Sequence, residues 1–478
     1  MTDREQELRR LAAESTAEKK DLAASDPHRQ RYHQMPTAGL LNDPNGWVQW
    51  KGTYHLFFQW NPFQPDHSQK FWGHWTSKDL VHWTEHEPAL VPSEWYEKNG
   101  CYSGSGFEKD GKLHLLYTGN VKDAEGNRES YQCLAVSTDG RTFEKQGPVV
   151  NTLPAGYTAH FRDPKVWEED GTYYFVIGAQ TEQETGQVLL YRSEDAHTWT
   201  FAGPLAGSHL NGLGAFGYMW ECPDAFHLNG TDVLVVSPQG LDSEGNRFQN
   251  VYQAGYFLGT IDKEMPSFDH GAFHELDEGF DFYAPQTTED ELGRRILVGW
   301  MGVPDSDEAY QPTVAYEWVH CMTIPRELQV TNGRLIQRPV DELKTLRSGD
   351  PLEMRMQLSF GQEIAVTPAA EIDIDCSAAN RIELELRSEM TLSWDKDTGE
   401  LTLQRPSFRD GSTETRSCTV PELHHLQLFL DHSSVEVFVN GGEAVLTSRY
   451  FPHPQHNVVA AGGDGTVVWT SWELRKEE

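Results

Sequence analysis

The sequence predicts an all-β fold: a five-bladed β-propeller, then a C-terminal β-sandwich, with a short N-terminal helix in front. The first observation is a repeat of 59 to 63 residues, in which a glycine opens an apolar strand five times. Those glycines are Gly52, Gly111, Gly171, Gly230 and Gly293. The second is a turn motif inside the repeat, and the third is a change to alternating strands after about residue 350. A period of this length in strands is typical of four-stranded propeller blades.

Residues 3 to about 24 are predicted to form the N-terminal helix. This segment is rich in Glu, Ala, Leu, Arg and Lys, with its leucines spaced among charges. Ser25-Asp26-Pro27 ends the pattern, because proline cannot continue a helix. We assign residues 1–30 to a helical extension that packs on the main domain and carries no chemistry.

Residues 31–345 are predicted to form the propeller. Short apolar or alternating runs and turns rich in Gly, Asp, Asn and Pro fill this stretch, and helical runs are absent. The motif Ser-x-Asp-x-x-x-aromatic occurs at Ser77–Trp83, Ser137–Phe143 and Ser193–Trp199. It predicts a strand end, a turn held by the Asp side chain, and an aromatic residue that starts the next strand. We interpret these elements as structural.

Residues 346–478 are predicted to form a linker and a β-sandwich. Asp341–Arg347 indicates a helical turn or linker, and alternating strands follow from about residue 352. Two hairpins are predicted, one with its turn at Asp397-Thr398-Gly399. The other turns at Asn440-Gly441, because Asn-Gly readily takes the positive φ angles of a two-residue turn. Alternation gives each strand one buried face, as in two packed sheets. No cluster of catalytic residue types lies in this region.

Length and charge limit the classes of protein. A chain of 478 residues is too long for one core, so two or more domains are expected. There are 73 acidic and 39 basic residues, which gives a formal charge of −34. This balance argues against nucleic acid and anionic membranes as partners, since both need clustered Lys and Arg. The acidity fits either a strongly solvated surface or adaptation to high salt, and composition does not separate the two.

The N-terminal residues and the cysteines indicate a cytoplasmic protein. The first residues are charged and lead into no apolar run, and no stretch of about twenty apolar residues could span a membrane. Six scattered cysteines lack Cys-x-x-Cys spacing and are expected to be reduced, buried thiols. No His, Asp or Cys cluster has metal-ligand spacing, so neither a metal nor another cofactor is predicted. The oligomeric state stays open.

Five polar residues stand at one phase of the repeat, eight to ten positions before its glycines. They are Asp43, Ser103, Asp163, Glu221 and Tyr283. Residues at one phase of successive blades meet around the central axis, so these side chains are predicted to form one active site. Asp43 and Asp163 directly precede prolines, which biases them to the extended backbone that an inner strand requires.

Paired carboxylates suit glycoside cleavage, whose transition state carries positive charge on the sugar ring. One carboxylate must be ionised, while another must be protonated to give its proton to the leaving oxygen. Glu221 lies between Trp220 and Cys222-Pro223, the drier setting, and is therefore the predicted acid. Nearby tryptophans offer flat apolar faces for sugar rings.

The other two carboxylates receive different roles from their neighbours. Asp43 has Asn42 and Asn45 available as hydrogen-bond donors, so Asp43 is the predicted nucleophile. Arg162 stands beside Asp163 and is expected to keep this carboxylate ionised. An ionised Asp163 would suit a role in holding sugar hydroxyl groups.

Eight segments of the chain, taken in order, are similar to the motifs of one enzyme family. Three of them carry its signatures: Asn42–Gly46, Arg162–Pro164 and Glu221–Pro223. The others are Phe58–Pro62, Trp72–His74, Tyr102–Ser105, Asp281–Gln286 and Ser434–Gly441. In these segments the chain resembles the β-fructofuranosidases of glycoside hydrolase family 32, which include invertases, sucrose-6-phosphate hydrolases and exo-inulinases. The likeness runs from about residue 31 to the C-terminus.

This resemblance implies a five-bladed propeller with a β-sandwich and a retaining double displacement. It implies that Asp43 is the nucleophile, Glu221 the general acid/base and Asp163 the transition-state stabiliser. Further residues that it places at the fructosyl pocket are Leu40, Leu41, Asn42, Gln59, Tyr102, Ser103 and Arg162. The phase of the repeat adds Tyr283 from the fifth blade. Many members carry a tryptophan where this chain has His67, and Trp72 is expected to supply the missing apolar face.

The preferred hypothesis is hydrolysis of the terminal β-D-fructofuranosyl bond of sucrose or sucrose 6-phosphate, with short fructo-oligosaccharides also open. The alternatives are an exo-acting fructan hydrolase, a fructosyltransferase, an inverting propeller glycosidase acting on arabinose or xylose polymers, and an inactive carbohydrate-binding propeller. A phosphorylated sugar would need cationic groups at the pocket rim. The candidates are Lys70, Lys122, Arg128 and Arg247.

Overall fold

The computed structural model describes residues 2–475, which are mainly β-strands. The one long helix among them is α1, Asp3–Ala24. It begins where the Thr2 hydroxyl accepts a hydrogen bond from the backbone N–H of Glu5 at 3.2 Å, a side-chain cap. Leu8 of α1 is buried in the largest apolar core of the propeller. The predicted N-terminal helix and its end before residue 25 are confirmed.

Twenty-two strands build the five predicted blades. Blade one contains β1 Gly39–Trp50, β2 Thr53–Asn61, β3 Phe71–Ser77 and β4 Trp83–Leu90, and blade two contains β5 Cys101–Lys109, β6 Lys112–Lys122, β7 Arg128–Ser137 and β8 Glu144–Val150. Blade three contains β9 Tyr157–Glu169, β10 Thr172–Thr181, β11 Gly186–Ser193 and β12 Thr200–Gly207. Blade four contains β13 Met219–Leu228, β14 Thr231–Gln239, β15 Gly255–Asp262, β16 Ser267–His270 and the short β17 His274–Glu275. The last set is β18 Tyr283–Glu289, β19 Arg295–Trp300, β20 Trp318–Val319, β21 Arg326–Thr331 and β22 Arg334–Pro339.

The first strand of each blade lies at the centre of the ring. Strands β1, β5, β9, β13 and β18 contact the corresponding strands of neighbouring blades. Blade five consists of β18, β19, β21 and β22, whereas β20 leaves it to pair in parallel with β1 of blade one. The chain therefore ties its last blade to its first, and polar groups at one phase of the inner strands share one central space.

The repeated glycines sit in the turns between the first and second strands of the blades. In blade one, Trp50 pairs with Thr53, and the two residues between them, Lys51 and Gly52, have φ values of 50° and 64°. Two successive positive φ angles define the type I′ hairpin turn, which favours glycine at its second position. Equivalent pairs of positive φ angles occur at Asp110-Gly111, Asp170-Gly171 and Asn229-Gly230. The repeat thus reflects one local turn requirement.

The Ser-x-Asp motifs form the predicted side-chain turns between outer strands. The carboxylate of Asp139 accepts hydrogen bonds from the backbone N–H groups of Arg141 and Thr142, at 2.9 and 2.8 Å. Asp79 and Asp195 hold their own turns in the same way. These turns join the outer strands of their blades, away from the central axis. The hydrogen bonds of the three Asp side chains all stay within their own turns.

The C-terminal region is a β-sandwich preceded by a 3₁₀ turn at Asp341–Leu346. Its strands are β23 Arg347–Gln357, β24 Gln362–Ala365, β25 Ala370–Leu386, β26 Met390–Asp395, β27 Glu400–Pro406, β28 Thr413–Thr419, β29 His425–Asp431, β30 Ser434–Val439, β31 Ala444–Arg449 and β32 Val458–Leu474. The long strands β25 and β32 pair along both halves, and β25 also pairs with β29 in its first half and β26 in its second. They therefore belong to both layers, which enclose one apolar core.

The second predicted hairpin turn differs from expectation. Asn440 and Gly441 do have positive φ angles, 50° and 72°. However, Val439 pairs with Ala444, so the loop contains four residues rather than two. Gly442 also has a positive φ, and a Cβ atom there would lie 1.8 Å from the carbonyl oxygen of Gln337. The close approach of the propeller backbone determines this loop.

A buried charge network joins the propeller to the sandwich. The guanidinium of Arg326, in β21, donates hydrogen bonds to Glu436 of β30 and to Asp277. His33 lies against Asp431 through Nδ1 at 2.8 Å and against Glu436 through Nε2 at 3.0 Å. Burial opposes the charged form, but the hydrogen bonds that His33 donates to both carboxylates raise its pKa to about 9. The two domains are thus held together by paired charges as well as by apolar contact.

Candidate active site

Each inner strand is interrupted where its predicted site residue stands. The strand pairing shifts register next to Asp43, Ser103, Asp163, Glu221 and Tyr283. Such bulges re-aim side chains and are common beside active sites.

Backbone strain accompanies three of these bulges. The φ angles of Asp163, Cys222 and Ala284 are 68°, 47° and 48°. A non-glycine residue held at positive φ costs about 1–3 kcal/mol, which the surrounding structure must offset. The expectation of extended backbone at Asp163 is therefore wrong, because the bulge overrides the bias of the following proline.

Asp43 is half-buried and held by two neighbours. The Ser103 hydroxyl donates to Asp43 Oδ2 at 2.6 Å, and the Asn42 amide donates to Oδ1 at 3.0 Å. Burial raises the pKa of Asp43, while the hydrogen bond from Ser103 opposes this rise. Asn45 does not donate to Asp43 as expected, because its amide faces Gln59 and the Ser103 hydroxyl instead. Contacts to the predicted nucleophile therefore come from blades one and two.

Asp163 faces Asp43 across a thiol. Its Oδ2 accepts a hydrogen bond from the backbone N–H of Cys222 at 3.0 Å. The Cys222 sulfur lies 3.6 Å from Asp163 Oδ2 and 3.8 Å from Asp43 Oδ2. Burial raises the pKa of Asp163, with the negative charges of Glu221 and Asp43 acting in the same direction. The three carboxylates therefore share one space in which the charges of Asp43 and Glu221 act on Asp163.

Arg162 does not pair with Asp163, contrary to expectation. Its Nε and one terminal nitrogen both donate to Glu221 Oε1, at 2.9 and 2.7 Å. The charge of Arg162 lowers the pKa of Asp163, but burial raises it more. The bulge turns the two adjacent side chains in different directions, so neighbours in sequence are not partners in space.

Glu221 is the most fully hydrogen-bonded of the three carboxylates. Its Oε2 accepts from the Tyr283 hydroxyl at 2.8 Å and from the Gln239 amide at 2.8 Å. With Arg162 on Oε1, the carboxylate has donors from blades three, four and five. Glu221, predicted from its neighbours to stand in the drier setting, thus has polar donors on both of its oxygens. The Tyr283 side chain is buried, and its hydroxyl group contacts the Glu221 carboxylate.

Besides Cys222, two residues that contact the site were missed from sequence. Gln239 ends β14, and Thr118 of β6 accepts a hydrogen bond from the backbone N–H of Asp163 at 3.2 Å. Thr118 stands seven residues after its repeat glycine, as Gln59 does after its own. That shared phase of the second strand was the signal that could have identified Thr118. The Gln59 amide itself donates to the carbonyl oxygen of Cys101 at 2.8 Å.

The predicted apolar wall is not formed by Trp72. Its side chain is 0% exposed and packs edge-on against Tyr117 and at a tilt against Phe57. Its indole N–H donates to the backbone carbonyl of Tyr102 at 3.1 Å. Trp72 therefore holds the backbone of β5 beside the site and does not face the sugar itself. The side chains of Leu40 and Leu41 are likewise buried, which leaves only their backbone for contact with a sugar.

His67, at the position of the absent tryptophan, belongs to a polar chain. Lys70 Nζ lies 2.7 Å from His67 Nδ1 and 2.6 Å from Asn42 Oδ1. His67 Nε2 in turn contacts Glu308, which also bonds His320 at 2.8 Å. Burial lowers the pKa of Lys70 to about 8. The Lys70 ammonium group is thus linked to the Asp43 carboxylate through the side chain of Asn42, which contacts both.

The four cationic candidates for a phosphate fall into different places. Lys70 lies inside the pocket, and Lys122 and Arg128 face each other across the end of the β6–β7 hairpin. The Arg128 guanidinium is 5.8 Å from the centre of the Tyr102 ring. Arg247 is elsewhere, stacked on Phe248 and near the sandwich.

Within residues 2–475, no group of three or more His, Cys, Asp or Glu side chains has the geometry of a metal site. The helices of that same part of the chain include none long and apolar enough to cross a membrane. Three carboxylates with distinct hydrogen-bond partners, on the axis of a five-bladed propeller, define a carbohydrate-cleaving hydrolase.

Comparison with known proteins agrees with that class. Residues 33–339 match the glycosyl hydrolases family 32 N-terminal domain, and residues 337–474 match the C-terminal domain of the same family. The chain belongs to glycosyl hydrolase family 32. The sucrose-6-phosphate hydrolase of Bacillus subtilis (strain 168) is 55% identical over 478 residues, which cover 98% of this chain and 100% of that protein.

Solved structures give the same result. The sucrose-6-phosphate hydrolase of Lactobacillus gasseri superposes with a TM-score of 0.89 at 32% identity, covering 97% of this chain and 96% of its own. A family 32 β-fructofuranosidase of Bombyx mori, solved as a mutant in complex with sucrose, has a TM-score of 0.87 at 33% identity. That match covers 99% of this chain and 98% of the other. The predicted fold class and family are confirmed.

Proposed function

We propose that the chain hydrolyses the terminal β-D-fructofuranosyl bond of sucrose 6-phosphate, and of sucrose, by double displacement. The observation that carries this proposal is that Asp43 and Glu221 reach one pocket from β1 and β13 with different hydrogen-bond partners. Two carboxylates in unequal settings are what a nucleophile and an acid require. Family 32 membership and the sucrose-6-phosphate hydrolases among the relatives support this substrate class.

In the first step, an oxygen of Asp43 bonds to the anomeric carbon of the fructosyl group. The bond from that carbon to the glucosyl oxygen breaks, and Glu221 gives its proton to the departing oxygen. Glucose 6-phosphate leaves with its hydroxyl group complete. Ser103 and Asn42 position the attacking carboxylate through their hydrogen bonds to its two oxygens.

In the second step, Glu221 takes a proton from water, whose oxygen attacks the same carbon. The bond to Asp43 breaks, fructose leaves, and both carboxyl groups return to their starting states. Two inversions give net retention at the anomeric carbon. Charge interactions in this partly buried site are stronger than in water and stabilise the positively charged transition state.

Arg162 has to change partner during this cycle. Its two hydrogen bonds occupy Oε1 of Glu221, whereas the first step needs this carboxyl group to reach the departing oxygen. We assign Arg162 and Asp163 to the hydroxyl groups of the fructosyl ring, so that a bound sugar draws Arg162 away from Glu221. This exchange makes the contact between Glu221 and the leaving group depend on substrate binding.

A cytoplasmic location is part of the proposal. A sugar that is phosphorylated as it is imported meets its hydrolase inside the cell. The scattered, unpaired cysteines support this location.

The direct test is to measure kcat/KM of the purified protein for sucrose, sucrose 6-phosphate, raffinose and inulin. The proposal expects the highest value for sucrose 6-phosphate, a lower value for sucrose and the lowest for inulin. Asp43→Ala should lose roughly four orders of magnitude on every substrate while its circular dichroism stays unchanged. Failure to release fructose from sucrose or its phosphate, or unchanged turnover in Asp43→Ala, would overturn it.

A further inference from the structure

An unpaired cation lies at the pocket rim on blade two. Arg128 begins β7, and its guanidinium lies over the ring of Tyr102, 5.8 Å from the ring centre. It is near enough to interact with the charges of Glu221 and Asp163. Among the described residues no carboxylate forms an ion pair with Arg128, and burial lowers its pKa. A partly buried guanidinium without an anion is costly, and an incoming anion would relieve that cost.

Lys122 reinforces this charge. It pairs with Arg128 across the two strands of the hairpin, and its side chain is exposed. Of the three acidic groups of the hairpin, Asp123 and Glu129 are occupied elsewhere, and Glu125 is exposed to solvent. Asp123 accepts hydrogen bonds from the backbone of its own turn, and Glu129 accepts one from Tyr131. In a chain with a formal charge of −34, two neighbouring cations with no assigned anion are unusual.

The chain contains its own comparison for Arg128. The tetrapeptide Glu-Gly-Asn-Arg occurs twice, at Glu125–Arg128 and at Glu244–Arg247. In the second copy, Arg247 lies 3.8 Å from the carboxylate of Glu244 and stacks on Phe248. It acts on the charges of Glu275 and Glu278, away from the three carboxylates of the site. The same turn thus has a paired arginine in one blade and an unpaired one at the pocket.

The other polar groups nearby are already engaged or uncharged. Arg162 is bound to Glu221, and Lys70 to Asn42 and His67. His160 lies 3.2 Å from Arg162, and burial together with nearby positive charge lowers the pKa of His160 to about 4. It is therefore neutral near pH 7.

We propose that Arg128, assisted by Lys122, binds the phosphate of the glucosyl 6-phosphate group and makes the enzyme prefer sucrose 6-phosphate over sucrose. This inference rests on the proposed function, since Glu221 must protonate the glucosyl oxygen and the glucosyl group therefore lies outward of Glu221. A phosphate monoester carries nearly two negative charges at neutral pH, and a guanidinium can bind it with two parallel hydrogen bonds. Arg128 is the unpaired guanidinium that faces this outer part of the pocket.

The test compares kcat/KM for sucrose 6-phosphate and sucrose in the wild type, Arg128→Gln and Arg247→Gln. Arg128→Gln should lower kcat/KM for sucrose 6-phosphate about 10- to 100-fold, mainly through KM, as expected for a hydrogen-bonded charge pair. Its kcat/KM for sucrose should change less than about threefold, within the usual effect of a surface substitution. Arg247→Gln should leave both substrates unchanged, and Lys122→Gln should show a smaller, equally selective loss.

Product inhibition gives a second readout that does not need the phosphorylated substrate. Glucose 6-phosphate should inhibit sucrose hydrolysis more strongly than glucose in the wild type, and Arg128→Gln should remove that difference. Equal losses on both substrates in Arg128→Gln, or no loss on either, would overturn the phosphate site while leaving the fructofuranosidase reaction intact. A wild type that cleaves neither substrate would instead overturn the proposed function.

Discussion

Arg162 and Glu221 are joined by two hydrogen bonds to a single oxygen, Oε1, at 2.9 and 2.7 Å. The same carboxylate also receives the Tyr283 hydroxyl and the Gln239 amide on its other oxygen. The site therefore holds its proposed acid in contact with three donor residues. The proposed mechanism requires a bound sugar to take over the guanidinium before Glu221 acts.

Replacing Arg162 tests that exchange. Arg162→Gln should lower kcat/KM for sucrose by roughly 100- to 1000-fold, because the sugar loses two charge-assisted hydrogen bonds. Arg162→Lys should recover little, since an ammonium group cannot reproduce the planar two-pronged contact. Steady-state kinetics on the three proteins measures this. Arg192→Gln, at an exposed arginine of blade three, is the matched control, and near-complete recovery by lysine would contradict the geometric role.

The burial of Asp163 predicts that this carboxylate lowers the stability of the folded protein at neutral pH although activity requires it. Burial raises the pKa of Asp163 above its ordinary value of 3.8, so the folded protein holds this proton more tightly than the unfolded chain. Stability contributed by Asp163 is therefore lost as pH rises from about 4 towards neutrality. Asp163→Asn should raise Tm at pH 8 more than at pH 4 while abolishing most activity. Thermal unfolding at both pH values checks this, and an equal shift at the two would contradict it.

Lys70 predicts an alkaline limit to activity. Burial lowers the pKa of Lys70 to about 8, and its charge lowers the pKa of Asp43. Above pH 8 the lysine becomes neutral and the support of Asn42 and Asp43 weakens. The kcat/KM for sucrose should fall through this range in the wild type. Lys70→Met should lose that alkaline limb and show a lower plateau, with its acid limb moved to higher pH. If Lys70→Met kept the same alkaline limb as the wild type, the fall in kcat/KM above pH 8 would belong to a group other than Lys70.

The interdomain network predicts a second pH dependence, of stability alone. The pKa of His33 is raised to about 9, above an unfolded value near 6.5. A raised histidine pKa means that the folded state binds the extra proton, so its stabilisation is complete below pH 6.5 and lost as pH rises through 9. The Tm of the wild type should fall over this interval more than that of His33→Gln. Parallel falls in the two proteins would exclude His33 as the cause.

Much of the fold could be predicted because it depends on local requirements that repeat. A type I′ turn needs positive φ at two successive residues, so Gly52, Gly111, Gly171 and Gly230 mark four of the five blades in the sequence itself. The phase of that turn also brings Asp43 and Ser103 into hydrogen-bond contact, although 60 positions separate them. What repeats along the chain is visible in the sequence.

The partners of individual side chains could not be predicted, because they depend on bulges and on how blades face one another. Arg162 and Asp163 are adjacent in sequence, yet a positive φ at Asp163 sends Arg162 to Glu221 on the next blade. Trp72 looked suited to a sugar face, but it stands on a strand face that is fully buried. The environment of His67 depends on Glu308, 241 residues away.

The stereochemistry of transfer to methanol tests the central claim, that Asp43 forms a covalent fructosyl intermediate. With sucrose as donor and methanol in the buffer, the methyl fructofuranoside is stable against anomer exchange and can be assigned by NMR. The account predicts methyl β-D-fructofuranoside, because two displacements retain configuration. Formation of the α anomer would contradict it, since a single inversion leaves no role for a bond between Asp43 and the sugar.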